Sequence, residues 1–167
     1  YRSPPLQDTF SILMIALVKE RPQTLSLKDF LVAYKDHRIE VIRRRTKFLL
    51  DRAEAEAHIL EGLLKAIDVI DEVIAIIRSS SDVPTAEKRL IDKYKFTVIQ
   101  AQAILRMTLA KLTGLEREKL QKELAALHEK IAEYRAILAD ERLVLDIIRE
   151  DLIELKASLG DKRRTEI

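Results

Sequence analysis

Long stretches of this chain lack the residues that end helices. Between Ser26 and Pro84 there is no proline and only one glycine, Gly62, and residues 115–159 contain neither. Glycine and proline are the least favourable residues inside a helix, so each stretch can continue as a helix over many turns. A capping box, Ser-Leu-Lys-Asp, begins at Ser26. We therefore predict one long helix over residues 26–78.

A second long helix is predicted over residues 113–160, and it carries a heptad seam. Thr113 begins another capping box, and Gly160 supplies a stop at the far end. The seam residues alternate steps of four and three, and they are Leu120, Leu124, Leu127, Ile131, Tyr134 and Leu138. Such a seam is typical of a helix that packs along a partner helix. The same phase returns after a slight break, where Asp140 can cap a new helix.

Two long helices of similar length fold most economically as an antiparallel pair. We expect the side of the first helix that carries Leu49, Leu60 and Leu64 to pack against the seam. The predicted fold class is all-α, with a long antiparallel coiled-coil arm and a small helical dimerisation head at its tip, residues 79–112. The composition supports this prediction, because 35% of the residues are charged and only 5% are aromatic.

The head contains more apolar residues than a segment of its size can hide. Two short helices are expected there, one after Pro84 and one that a capping box opens at Thr97. The apolar residues that follow Thr97 occupy more than one helical face. Two interpretations remain open, because these residues form either the head's own core or a self-association surface. The candidates for a dimer interface are Ile104, Leu105, Met107, Leu109 and Leu112.

Composition and motifs exclude several kinds of active site. The 30 basic and 28 acidic residues give a net charge of only +2, from which no nucleic-acid interaction can be read. The chain has no cysteine, which excludes disulfides, thiolate metal sites and cysteine nucleophiles. His128 lacks the second histidine of a zinc-protease motif, and no serine has a suitable base and orienting acid. We therefore predict no catalytic residue and no metal site, and no apolar run approaches the roughly 20 residues of a membrane span.

Two groups of charged residues have both a structural and a functional interpretation. The densest basic run consists of Arg43, Arg44, Arg45 and Lys47. Adjacent helical residues do not share a face, so this run either forms salt bridges along the helix or contacts a DNA backbone. The carboxylates of Asp68, Asp71 and Glu72 either form a solvated helix face or hold a metal ion.

Six sequence blocks, which span nearly the whole chain, resemble the A subunits of bacterial type IIA DNA topoisomerases, and those of DNA gyrase most closely. The blocks are HRIEVIRRRT at 37–46, AHILEGL at 57–63, IDEVI at 70–74, QAQAIL at 100–105, LTGLE at 112–116 and GDKRRTEI at 160–167. They occur in the order of that family. One departure lies in the head, where the family often reads Leu-Asp-Met-Arg-Leu and this chain has Arg106 and Thr108 at the second and fourth positions.

The resemblance implies a noncatalytic segment that dimerises and forms an exit gate for DNA. It assigns residues 1–25 to the end of a tower region, 26–78 to the outgoing arm, 79–112 to the dimerising head or C-gate, 113–160 to the returning arm and 161–167 to a basic tail leading to the next domain. The parent enzyme is an ATP-dependent type II DNA topoisomerase, which passes one duplex through a transient double-strand break. Its cleaving tyrosine lies in a preceding winged-helix domain. Magnesium and ATP act through the B subunit, so no cofactor is expected in this segment.

The implied partners are a second copy bound through the head, double-stranded DNA and the gyrase B subunit. The implied location is the bacterial cytoplasm, in association with the nucleoid through DNA. Two alternatives to a gyrase segment remain open. One is the equivalent segment of the topoisomerase IV A subunit, although the closing residues 163–167 favour gyrase. The other is a structural coiled-coil spacer with no DNA role.

Overall fold

The computed structural model describes residue 9 and residues 11–108 and 114–162. Two strands and six helices lie within these ranges. In chain order they are β1 (Ile15–Val18), β2 (Arg21–Thr24), α1 (Leu27–Asp68), α2 (Ile70–Ser79), α3 (Val83–Tyr94), α4 (Val98–Leu105), α5 (Gly114–Ala139) and α6 (Glu141–Leu159). The fold is mostly helical, as predicted, but the all-α prediction missed the short sheet. None of the helices in the described ranges is both long and apolar enough to cross a lipid bilayer.

The two strands form an antiparallel hairpin in which Ile15 pairs with Thr24. The turn between the strands consists of Lys19 and Glu20, whose φ angles are 51° and 65°. Two successive left-handed residues suit a tight two-residue turn, because they match the twist of the flanking strands. The sequence contains little sign of this turn, since it uses neither asparagine nor glycine and places Pro22 in a strand.

Local capping signals mark the starts of α1 and α6. The hydroxyl of Ser26 accepts a hydrogen bond of 3.2 Å from the backbone N–H of Asp29, and α1 begins at the next residue after Ser26. The carboxylate of Asp140 accepts a hydrogen bond of 2.8 Å from the backbone N–H of Arg142, and α6 begins at Glu141, the residue after Asp140. Both predicted starts are confirmed. Thr113, the predicted cap of the helix that became α5, lies outside the described residues.

The helix predicted over residues 26–78 is divided at Val69. There α1 ends at Asp68 and α2 begins at Ile70, and Val69 has a φ of −122° and a ψ of 31°. The backbone N–H of Val69 donates 3.3 Å to the carbonyl of Ala66, a step of three residues instead of the four of an α-helix. Neither proline nor glycine marks this point, so a prediction based on helix breakers could not find it.

The chain divides into two compact units, residues 1–44 with 144–167 and residues 45–143. In the first, unit 1, the side chains of Val144 and Ile148 on α6 are buried. Arg38 on α1 forms an ion pair with Asp151 on α6, so the two helices of this unit are joined by a charge-assisted hydrogen bond.

The second unit, unit 2, has the larger hydrophobic core. Its buried members are Ala53, Ala57, Leu60, Leu63, Ala66, Val73, Leu90, Phe96, Ala101, Ile104, Leu120, Leu127 and Ile131. Three of the six predicted seam residues of α5 are therefore in the core, and Leu124 and Tyr134 pack against it half-buried. Leu138 is also only partly buried. On α1, Leu60 is buried and Leu64 packs against the same core.

Candidate functional site

The head helices α3 and α4 place the predicted interface residues in different environments. Ile104 is 3% exposed and belongs to the core of unit 2, which also includes residues of α1 and α5, so its side chain is buried within this chain. Leu105 and Met107 are half-buried at the edge of that core. Leu109 and Leu112 lie outside the described residues. Among the described candidates, the surplus of apolar surface in the head thus rests on Leu105 and Met107.

A groove of about 550 Å³ lies beside the end of α4. Its apolar lining comes from α2, α3 and α4, and its rim carries Asp82, Glu87 and Arg106. The apolar lining residues are Ile77, Val83, Ala86 and Leu105. Val83 is 65% exposed, so this lining is open to a partner. Sequence reasoning missed Ile77 and Val83, because they belong to separate helices that only the fold brings next to Leu105.

The start of α4 is tied to α1 by a polar network. Thr97 and Gln100 form the predicted capping box, in which the Thr97 hydroxyl accepts from the Gln100 backbone N–H and the Gln100 side chain accepts from the Thr97 backbone N–H. The Gln100 side-chain nitrogen also donates 2.8 Å to the backbone carbonyl of His58 on α1. The His58 ring contacts the Thr97 hydroxyl at 2.8 Å. Gln100 is 9% exposed, so these bonds satisfy a buried amide.

Gly62 lets α4 approach α1 at this point. A Cβ atom added to Gly62 would lie 2.6 Å from Cγ of Gln100 and 2.9 Å from its Cβ, well inside van der Waals contact. The single glycine within α1 therefore has a packing role, since a larger residue would displace the Gln100 side chain.

Helices α2 and α3 are joined by a cluster of ionisable groups. Glu72 Oε2 accepts hydrogen bonds of 2.6 Å from Lys93 Nζ and of 2.6 Å from the Tyr94 hydroxyl. These bonds hold the pKa of the Glu72 carboxyl below its ordinary value. The bond to Glu72 also raises the pKa of Lys93 and that of Tyr94 above their ordinary values. The cluster is therefore a charged tie between the two helices in the neutral pH range.

The depressed pKa of Glu72 predicts an acid-sensitive contribution to stability. The contribution is fully present above the carboxyl pKa of the unfolded chain and is lost as the pH falls through the lower pKa of the folded chain. It is modest, because the pair is exposed to solvent. We expect Glu72→Gln to flatten this part of the stability profile, as measured by thermal unfolding at pH values from neutral to below the pKa of Glu72. Glu118→Gln on α5 is a suitable control, and an unchanged acid profile in Glu72→Gln would contradict the prediction.

The carboxylates of Asp68, Asp71 and Glu72 do not act as one ligand set in this structure. Asp68 forms an ion pair with Arg117, and Glu72 binds Lys93 and Tyr94. Within the described ranges no group of three or more histidine, aspartate and glutamate side chains is arranged to hold a metal ion. Asp68 and Glu72 thus form the salt bridges that the structural interpretation predicts, and Asp71 is exposed.

The four residues of the basic run are exposed on α1. In unit 1, Arg44 lies 3.5 Å from the carboxylate of Glu40, four residues earlier, which is the kind of pair that the structural interpretation predicts. In unit 2, Arg45 and Lys47 are exposed on either side of Thr46, which is buried. The structure thus leaves Arg45 and Lys47 accessible to a partner.

Pairs of polar and charged side chains join α1 to α5 within unit 2. Arg135 Nη2 donates 2.6 Å to Glu54, and His128 Nε2 lies 3.2 Å from Glu61. Asp68 and Arg117 form a third pair. Residue numbers rise along α1 as they fall along α5, so the paired segments run in opposite directions. Such exposed pairs each contribute at most about 1 kcal/mol, and their main effect is to fix the register of the helices.

Comparisons with known proteins show which family this chain resembles. Residues 1–153 match the family model that describes the A subunits of DNA gyrase and topoisomerase IV. The whole chain is 49% identical to the DNA gyrase A subunit of Aminobacterium colombiense, 52% identical to that of Halalkalibacterium halodurans and 48% identical to that of Staphylococcus aureus. The matched region covers all of this chain but only 20%, 20% and 19% of those relatives. The chain therefore spans about a fifth of the length of the relatives that it matches.

Proposed function

This chain belongs to the family of DNA gyrase and topoisomerase IV A subunits, and from that premise we propose that it is the noncatalytic segment of the DNA gyrase A subunit that joins two subunits and forms the exit gate for DNA. The observation that carries the proposal is the family match over residues 1–153, which includes both the long helices and the head. The relatives reported above are named as DNA gyrase A subunits, and these names favour gyrase over topoisomerase IV.

The arm is proposed to be a long antiparallel coiled coil built from α1 on the outgoing side and α5 with α6 on the returning side. The pairs Glu54 with Arg135 and Glu61 with His128 support this arrangement in unit 2, because both join α1 to α5. The buried seam residues of α5 support it as well, since a coiled coil needs an apolar seam on each helix.

The head is proposed to bind the head of a second copy through an isologous contact. Leu105 and Met107 are the described residues best placed for this contact, because both are apolar and half-buried, and Leu105 also lines the open groove with Ile77 and Val83. Ile104 lies next to Leu105 in the core, and the proposal also includes Leu109 and Leu112, which lie outside the described residues. A contact of this kind buries roughly 1,200 to 2,000 Å² in stable complexes, which suits a gate that must hold two subunits together.

The parent protein is proposed to be an ATP-dependent type II DNA topoisomerase that works in the bacterial cytoplasm. Its gyrase B subunit supplies the magnesium and ATP chemistry, and this segment holds no cofactor of its own. Double-stranded DNA is the proposed substrate and partner. Arg45 and Lys47 are the basic residues that we propose for contact with its backbone, because their exposed cationic side chains can neutralise phosphates.

Chemical cross-linking of the heads tests the gate proposal. A cysteine is introduced at Met107 in the full-length protein, in a background from which other cysteines have been removed, and the two heads are joined with a short bismaleimide. We expect efficient cross-linking within the dimer. With the gyrase B subunit, the linked enzyme should still cleave DNA but should fail to complete strand passage, because the transported duplex cannot leave through a closed gate.

The matched control carries its cysteine at Ala126, an exposed position of α5. Its cross-linking within the dimer should be poor and its strand passage normal. Two outcomes contradict the gate proposal: no cross-link at Met107, or a fully cross-linked enzyme that supercoils plasmid at the unmodified rate.

A further inference from the structure

We infer that Gln100 is a positioning residue that fixes the head helix α4 on the arm helix α1 and thereby sets how Leu105 and Met107 are presented. The geometry of this attachment stands on contacts within unit 2. Its consequence for dimer formation rests on the gate function proposed above.

The orientation of the Gln100 amide is determined by two backbone groups. The Thr97 backbone N–H is a donor and lies 3.1 Å from Oε1, whereas the His58 carbonyl is an acceptor and lies 2.8 Å from Nε2. A flipped amide would place donor against donor and acceptor against acceptor. One end of the side chain therefore caps its own helix, and the other end binds a helix 42 residues away in sequence.

The amide orientation in turn determines the tautomer of His58. Gln100 Nε2 also lies 3.4 Å from Nδ1 of His58, so Nδ1 is the acceptor in this contact. The hydrogen of a neutral imidazole then sits on Nε2, which donates to the Thr97 hydroxyl at 2.8 Å. His58 thus contacts both residues of the α4 capping box, Thr97 and Gln100, from the side of α1.

The cross-helix half of this network has no function in capping. A capping box needs only the side-chain oxygen at the Gln100 position, and glutamate serves equally well there. The nitrogen bond to the His58 carbonyl and the notch at Gly62 are additional features, and both face α1. Two independent observations, a polar tie and a clearance that only glycine provides, therefore point to an attachment between the helices.

The attachment controls the far end of α4 because the helix is short. Its eight residues span about 12 Å, so a rotation at the first turn moves the last turn by a comparable angle. Leu105 is the last residue of α4, and Met107 follows two residues later. Apolar contacts of Ala101 in the middle of the helix and of Ile104 in its last turn also hold α4 in the core, but they lack the directionality of the hydrogen bonds at Gln100.

The Gln100→Glu variant of the full-length protein separates capping from positioning. It keeps the oxygen that accepts from Thr97 but replaces the donor to His58 with a second oxygen. We expect the hydrogen-bonded backbone amides of residues 101–105 to exchange with deuterium about tenfold to a hundredfold faster, since an acceptor loses its donor at a buried site. The amides of α3, residues 83–94, should keep their wild-type rates, and circular dichroism should be unchanged.

A second measurement addresses the presentation of the interface. In a protein that carries Met107→Cys, the further change Gln100→Glu should lower the cross-linking rate severalfold. The charge-matched control Gln121→Glu on α5 should leave this rate unchanged. If Gln100→Glu fails to fold, Gly62→Ala serves instead, because the added methyl group displaces the Gln100 side chain and should speed exchange in α4 alone.

The two readouts keep this inference distinct from the gate proposal. Wild-type exchange rates in α4 of Gln100→Glu, or equal acceleration in α3 and α4, would overturn the positioning role. If Met107→Cys alone gives no cross-link, the gate proposal is overturned instead. The exchange measurement would still decide whether Gln100 fixes α4 on α1.

Discussion

Replacing Leu105 and Met107 together with glutamate should convert this chain from a dimer into a monomer. Both side chains are half-buried at the edge of the head core and are proposed to meet their counterparts across a twofold axis. The variant would place four carboxylates in one desolvated patch. Leaving an uncompensated charge in such a patch costs about 3 to 5 kcal/mol, so the dissociation constant should rise by at least about a hundredfold.

Light scattering of the 167-residue chain at tens of micromolar measures this change directly. The wild type should show twice the chain mass and the double variant the chain mass, with the same helical signal in circular dichroism. Lys88→Glu, an exposed change on α3, should stay dimeric. A dimeric double variant, or a monomeric wild type, would remove Leu105 and Met107 from the proposed interface.

Leu127→Asp is expected to have the largest effect on stability. Leu127 lies in the seam of α5, is 9% exposed and belongs to the core of unit 2. Its removal forfeits about 1.5 to 3 kcal/mol of apolar burial, and placing a carboxylate in this apolar surrounding adds a further cost. The total should reach several kcal/mol, which corresponds to a fall in Tm of about 10 °C.

Thermal unfolding followed by circular dichroism tests this expectation. The control is Ala126→Asp, which adds the same charge to the adjacent residue, where the side chain is exposed. Its Tm should change by no more than a few degrees, because exposed substitutions cost little. An unchanged Tm in Leu127→Asp would mean that the seam does not hold unit 2 together.

Features that depend on neighbouring residues could be predicted from the sequence. The helix caps Ser26 and Asp140 could be predicted because the hydrogen bonds they make reach only two or three residues along the chain. The seam positions Leu120, Leu127 and Ile131 were identifiable for a related reason, since helical periodicity alone places them on one face.

Features that depend on residues far apart in the chain could not be predicted from the sequence. The break at Val69 has no glycine or proline, and the hairpin turn at Lys19 lacks the usual turn residues. The tie between Gln100 and His58 joins residues far apart in sequence, and the same holds for the groove beside Leu105. Ile104 illustrates the limit of counting apolar residues, because only packing decides which member of such a run is buried.

The side-chain pairs between α1 and α5 in unit 2 restrict how these two helices can change in length during evolution. Glu54 and Glu61 are seven residues apart, and so are their partners Arg135 and His128. One insertion in either helix would rotate every later residue by about 100° and move both the charges and the apolar seam away from their partners. Lengthening is tolerated only when both helices gain the same multiple of seven residues, so gaps in the two halves of the sequence should occur together among natural relatives.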